Sequence, residues 1–209
     1  MIVWLILFLL VIGISFLLAF RSMKDYHEIP HKSDLEYALF LIRSPTNLNP
    51  EFLQTFQQKS AKKGLIISFE RLFKGSESAL CVFGPKEVLR SIAGLNLLEL
   101  EDYSSDFNTD NTSVWEVDFK AVDNPFSDLP ELGPDEKFCW QVLLSGKHIQ
   151  IRAAVFSKDP KKRLELVFSK LPRPFSNSQM IEFYKARSID KETTKELSNL
   201  KLLDLLRLH

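Results

Sequence analysis

Residues 35–44 (LEYALFLIRS) are apolar on both alternating faces, the pattern of a strand in the middle of a sheet. Working outward, Asn49-Pro50 supplies a helix cap followed by a proline at the first turn. Phe52, Leu53 and Phe56 then form a short apolar stripe, and Lys62-Lys63-Gly64 ends the helix with cations near its negative pole and a glycine beyond. Residues 65–73 (LIISFERLF) predict a second strand, with Ile67, Phe69 and Phe73 on one face and Ser68 and Glu70 diluting the other. A turn over 74–78 leads to the all-apolar run 79–83 (ALCVF). Gly84-Pro85 opens a short helix with Val88, Leu89 and Ile92 inward, and Gly94 closes it. Residues 97–103 (LLELEDY) alternate Leu98 and Leu100 against Glu99 and Glu101.

The resulting order, β-α-β-β-α-β, is the split βαβ arrangement of the ferredoxin-like fold. That fold puts its first and third strands in the centre and its second and fourth at the edges. The two strands that are apolar on both faces are the first and third, and the mixed ones are the second and fourth. Glu99, Glu101 and Asp102 then lie on an edge strand, where charge discourages pairing with another edge.

The polar run 104–113 (SSDFNTDNTS) predicts a linker. Its Asn111-Thr112-Ser113 matches a glycosylation acceptor but is read as part of that linker. After it the same grammar restarts. Residues 114–121 alternate Trp115, Val117 and Phe119 against Glu116, Asp118 and Lys120, and Asn124-Pro125 repeats the Asn-Pro helix start of Asn49-Pro50. Phe126, Leu129 and Leu132 follow, then a turn at Gly133-Pro134-Asp135-Glu136. Runs 138–144 (FCWQVLL) and 149–156 (IQIRAAVF) flank the hairpin signal Ser145-Gly146-Lys147. Asp159-Pro160 caps a helix carrying Leu164, Val167, Phe168 and Leu171, stopped by Pro172 and Pro174. Residues 180–187 (MIEFYKAR) fit a fourth strand or a helix, and helix is preferred. The fold expected is α+β: two tandem ferredoxin-like units over 35–103 and 114–188, the second incomplete. Residues 189–209 predict a closing amphipathic helix whose Leu197, Leu200, Leu203 and Leu206 recur at three-residue spacing, serving either as core or as a partner-docking stripe.

Residues 2–20 (IVWLILFLLVIGISFLLAF), from Ile2 and Trp4 through Gly13 to Phe20, carry no charge, and fifteen of the nineteen are Leu, Ile, Val or Phe. As a helix they span ~28 Å, close to a bilayer's hydrocarbon core. Summed insertion free energy is on the order of −5 to −9 kcal/mol. A cleaved signal peptide would show a charged n-region, a shorter apolar core and small residues at the cut; Leu18-Ala19-Phe20-Arg21 does not fit. Residues 1–21 therefore predict a retained transmembrane anchor, with 22–34 a juxtamembrane linker. Arg21, Lys24 and Lys32 follow the helix and no Lys or Arg precedes it, which puts the folded part on the cytoplasmic side.

Charge balances at 27 Lys and Arg against 27 Asp and Glu, so no basic surface announces nucleic acid and no acidic tail a cationic partner. Cys81 and Cys139 sit in apolar runs far from any CxxC spacing and read as core thiols. His27-Glu28-Ile29-Pro30-His31 matches H-E-x-x-H literally, but zinc binding needs both histidines on one helical face, and Pro30 breaks that helix. The match is read as chance, leaving a zinc-dependent membrane hydrolase through His27, Glu28 and His31 as the least favoured function. Gly146-Lys147-His148 lacks the first glycine of a phosphate loop, and His148 beside Ser145 is read as an ordinary turn histidine. Asp123, Asp128, Glu131, Asp135 and Glu136 read as a solvated acidic face. No catalytic residue, metal ligand or cofactor is expected.

Phe40-Leu41-Ile42-Arg43-Ser44-Pro45, Ile67-Ser68-Phe69-Glu70 and Leu98-Glu99-Leu100-Glu101-Asp102-Tyr103 together resemble the membrane-proximal N-terminal domain of type IV secretion or conjugation-like proteins of candidate-phylum (Patescibacteria-type) bacteria. Asn124-Pro125-Phe126-Ser127-Asp128-Leu129, Leu132-Gly133-Pro134-Asp135-Glu136 and Trp140-Gln141-Val142-Leu143-Leu144 resemble that domain's second half, and the similarity covers 35–156. The resemblance implies a module preceding a motor ATPase domain. Residues up to His209 hold no phosphate loop, so DNA translocation is not implied, and the resemblance leaves two expectations: a free-standing paralogue, or a component that works beside a separate ATPase. The expected function is a non-enzymatic, membrane-anchored scaffold contacting lipid and protein but not nucleic acid. A membrane-tethered ligand-sensing domain is the alternative.

Overall fold

The structure is a computed structural model describing residues 35–62, 64–92, 94–117, 131–146, 148–160, 163, 178–189, 195, 196 and 206. These lie within one compact unit, 33–209. The anchor read at Ile2–Phe20 and the linker holding His27, Glu28 and His31 fall outside them. Among the described residues no helix is long and apolar enough to cross a membrane.

The architecture is α+β, built on an antiparallel sheet. In chain order the elements are β1 (Tyr37–Ile42), α1 (Pro50–Lys62), β2 (Ile67–Lys74), β3 (Glu77–Pro85), α2 (Lys86–Arg90), β4 (Leu97–Leu100), β5 (Thr112–Glu116), β6 (Lys137–Ser145), β7 (His148–Phe156), α3 (Ser178–Ala186) and β8 (Lys195–Glu196). The strand order is β4-β1-β3-β2-β6-β7-β5, with β8 paired to β7 beside that path. As expected from Asn49-Pro50, the Asn49 Oδ1 caps α1 by accepting the Phe52 N–H at 2.8 Å, and Leu53 and Phe56 bury its apolar stripe.

The position of β2 corrects a first sequence expectation. β2 was expected at an edge but lies inside the sheet, because β6 pairs along its whole free side from Ile67↔Leu144 to Lys74↔Lys137. The polar residue that suggested an edge, Glu70, faces Gln141 across this junction. The two hairpins meeting there share one geometry. Lys74↔Glu77 closes the first around Gly75 and Ser145↔His148 closes the second around Gly146. Both glycines have left-handed φ, 58° and 61°, where a side chain would be strained. Glu70 and Gln141 each precede their hairpin's last pair by the same number of residues, so equivalent positions face each other at the junction.

The residues expected as a linker are also part of the fold. Thr112 and Ser113 open β5, and Phe107 is buried against Phe156 and Tyr184. The 180–187 stretch is helical, as preferred. The helix expected over 189–209 is interrupted, since Lys195–Glu196 forms a short strand on β7 opposite His148 and Ile149. Leu206 is helical and buried in the main core, which favours packing over docking at that position. Leu197, Leu200 and Leu203 lie outside the described residues.

Strand alternation divides the side chains between two unlike faces. On the first, Phe40, Phe69, Val82, Trp115, Trp140, Val142, Ile151 and Val155 join Leu53, Phe56 and Leu89 of the helices in a continuous apolar core. On the second, the apolar cluster is small: Phe107, Val114, Cys139, Ala154, Ile181 and Tyr184. A row of polar residues shares that face, with Glu70, Gln141 and Arg152 side by side on β2, β6 and β7.

Candidate functional site

Among the described residues, the densest polar constellation is on the second face, beneath the end of α3. Arg187 follows the helix with φ 50°, a left-handed conformation more usual for glycine. The Ser188 N–H bonds to the Phe183 carbonyl and the Arg187 N–H to the Tyr184 carbonyl, both at 3.2 Å, which completes a Schellman closure. An arginine there costs about 1–2 kcal/mol in backbone strain, and its contacts offset that cost. The guanidinium is 1% exposed. Its Nε donates to Glu70 Oε1 at 3.0 Å and its Nη2 to Glu70 Oε2 at 3.2 Å, a bidentate grip on a carboxylate with no exposure at all. The same guanidinium donates to both carboxylate oxygens of Asp102, just past β4, with Nη2 to Oδ1 at 3.0 Å. Its Cζ lies 4.3 Å from the Phe83 ring centroid, within cation–π range.

Further bonds extend the contact. Gln141 Nε2 donates to Glu70 Oε1 at 3.1 Å and to the Tyr184 carbonyl at 3.2 Å. Arg152 Nη1 donates to the Phe183 carbonyl at 2.9 Å and its Nη2 to Gln150 Oε1 at 2.8 Å. The Tyr103 and Tyr184 hydroxyls lie 2.6 Å apart. The end of α3, from the second half of the chain, is thereby tied to β2, β6, β7 and the segment after β4.

The electrostatics follow from this geometry. Burial alone would lower the Arg187 pKa, but Glu70 and Asp102 outweigh it and hold the guanidinium firmly charged. Burial alone would raise Asp102, but the bonds and charge of Arg187, with help from Ser104, keep it below the usual carboxylate range. Burial, then the nearby Glu70 charge, pushes Tyr103 well up, and burial does the same to Tyr184. Cys81, opposite Glu70 on β3, is pushed up to about 12 by burial first and Glu70 second. Both cysteines are free and buried, as the sequence suggested.

A second region is an open cleft of about 410 Å³, lined by Gly133, Pro134, Asp135, Glu136, Ser157, Lys158, Asp159 and Arg163. Glu136 accepts the Gly133 N–H at 2.8 Å and pairs with Arg163 at 2.9 Å. Of the acidic residues singled out in sequence, Glu136 is thus internally engaged, while Asp123 and Asp128 lie outside the described residues.

The other sequence candidates do not converge. Ser145 and His148 face each other at the end of the β6–β7 hairpin. Glu99 on β4 is bound by Lys86 at 2.7 Å and Arg90 at 2.8 Å. Among the described residues, no group of three or more His, Cys, Asp or Glu could hold a metal ion. Sequence reasoning missed Arg187 altogether, although a charged residue (Glu70) inside the apolar run 65–73 was a signal that some buried cation must answer it. Comparisons with protein-family models and with curated proteins find no match to this chain.

Proposed function

We propose that this chain is a membrane-tethered scaffold or assembly module. In this reading residues 2–20 anchor it, and two ferredoxin-like units, joined through β2 and β6, present folded surfaces on the cytoplasmic side. The observation that carries it is the uncharged apolar run of residues 2–20; among the described residues the densest charge, at Arg187, is spent joining parts of the fold to one another. The strand order β4-β1-β3-β2 with helices after β1 and β3 supports a ferredoxin-like first half. The matching hairpins at Gly75 and Gly146 support a related second half. A role beside a separate ATPase in a secretion- or conjugation-like machine rests on the sequence resemblance.

The test is purification of the full-length chain from native membranes with a tag after His209. The scaffold reading expects resistance to alkaline extraction, cleavage of the tag by protease on the cytoplasmic side, and stoichiometric co-purifying protein. A chain that extracts at alkaline pH and purifies alone would overturn it. The cleft at Glu136 and Arg163 favours the ligand-sensing alternative. That reading expects Arg163→Ala to abolish a ligand-induced rise in melting temperature in a metabolite screen.

A further inference from the structure

Arg71 of β2 puts a cation on the first, apolar face of the sheet. It lies opposite Leu80 of β3 and Trp140 of β6, both members of the apolar core, and is 7% exposed. Its Cζ sits 5.6 Å from the Phe73 ring centroid, and its Nη2 donates to the Ser78 Oγ at 2.8 Å. Among the described residues no carboxylate pairs with it, and its buried Nε has no acceptor. The adjacent Glu70 cannot serve, because alternation turns it to the second face, where Arg187 grips it.

The contrast with Arg187 is one of compensation. Two carboxylates outweigh burial at Arg187 and hold it charged. Arg71 meets a hydroxyl instead, and burial pulls its pKa down to about 10. At neutral pH it is still a cation, held against an apolar core without an opposite charge among the described residues. Such a charge is costly to bury, and an apolar side chain of similar length would make a more stable sheet. The guanidinium runs from that core toward the surface, since Ser78 is exposed. Ser78 accepts from Nη2 and keeps its own hydroxyl proton to donate. A guanidinium edge and a hydroxyl, backed by a low-dielectric core, attract an oxyanion more strongly than the same donors in water.

We propose that Arg71 and Ser78 form a binding site for a small oxyanion, a phosphate or a carboxylate. The anion accepts from the guanidinium and from the Ser78 hydroxyl, and it supplies the negative charge that this face of the sheet does not. Neither residue lines the cleft at Glu136 and Arg163. The inference is also independent of the scaffold reading, because it uses residues of β2 and β3 alone.

The test is thermal unfolding of the full-length chain in phosphatidylcholine nanodiscs, titrated with sodium phosphate or sodium acetate against chloride at constant ionic strength. Phosphate, acetate or both should raise the melting temperature to a plateau. Ser78→Ala, a change at an exposed position, should weaken the apparent affinity about fivefold. Arg71→Met should abolish the response and, in chloride alone, melt no lower than the parent, whereas loss of a purely structural arginine would lower the melting temperature. Arg90→Met should respond as the parent does. A rise seen only when phosphatidic acid is added to the discs would assign the oxyanion to a lipid headgroup. No rise with phosphate, acetate or phosphatidic acid would overturn the proposal. So would an unchanged affinity in Ser78→Ala, or an Arg71→Met chain that still responds or melts lower than the parent.

Discussion

The two faces of the sheet are held to their coverings by different physics. The first buries Phe69, Trp140, Val142 and Ile151 in one apolar core that also takes in Leu53 and Phe56 of α1 and Leu89 of α2. The second holds α3 over a small apolar cluster and a row of buried ionic and amide groups centred on Arg187. Apolar packing is forgiving of angle and additive in area, whereas a buried ion pair stabilises only with near-complete bonding and fails as a unit. The first face should therefore set the stability of the sheet, and the second should set where α3 sits.

Breaking the first face gives the largest expected effect. Phe69→Ala removes a fully buried ring packed 5.7 Å from Phe56, and should lower unfolding free energy by roughly 3–5 kcal/mol in denaturant titration. Arg187→Ala should cost about 3 kcal/mol, because it strands the buried Glu70 charge. The double variant Arg187→Met with Glu70→Leu should recover most of that loss, which separates charge stranding from lost packing. Arg187→Gly sharpens the point: it relieves the left-handed backbone and should be about 1 kcal/mol more stable than Arg187→Ala while still losing the ion pair.

Smaller effects follow at the paired hairpins. Gly75→Ala and Gly146→Ala should each cost about 1–2 kcal/mol by forcing a side chain into left-handed backbone. Gly146→Ala should be the worse of the two, since its Cβ would meet the Ala61 Cβ at 3.3 Å, while Gly75 has open space. The smallest effect is in acid. Asp102 is held below its ordinary pKa, so its contribution is present above the unfolded value of about 4 and is lost as pH falls through the folded one. Exchange in α3 should therefore rise below about pH 4 before exchange in β1 and β3 does.

Much of the first half was legible, because its information is local. The apolar runs at 37–42 and 79–83, the Asn49-Pro50 cap and the glycine turns each specify an element within a few residues. What failed was long-range. Glu70 read as the polar face of an edge strand, because neither Gln141 nor Arg187, 117 residues away, leaves a periodic signature near it. Arg187 was hidden for a second reason: a helix closure that carries arginine in place of glycine cannot be told from an ordinary charged residue. The leucine spacing at the C-terminus promised one helix, yet strand pairing of Lys195 and Glu196 with β7 overrode it locally.

The division of labour between the faces is tested most directly by native-state amide exchange on full-length Arg187→Ala. The amides of Ser178–Ala186 should exchange much faster than in the parent chain, while those of β1, β3 and α1 shift only with global stability. Uniform acceleration across both faces, or an α3 as protected as before, would contradict the claim that the Arg187 constellation is what seats that helix.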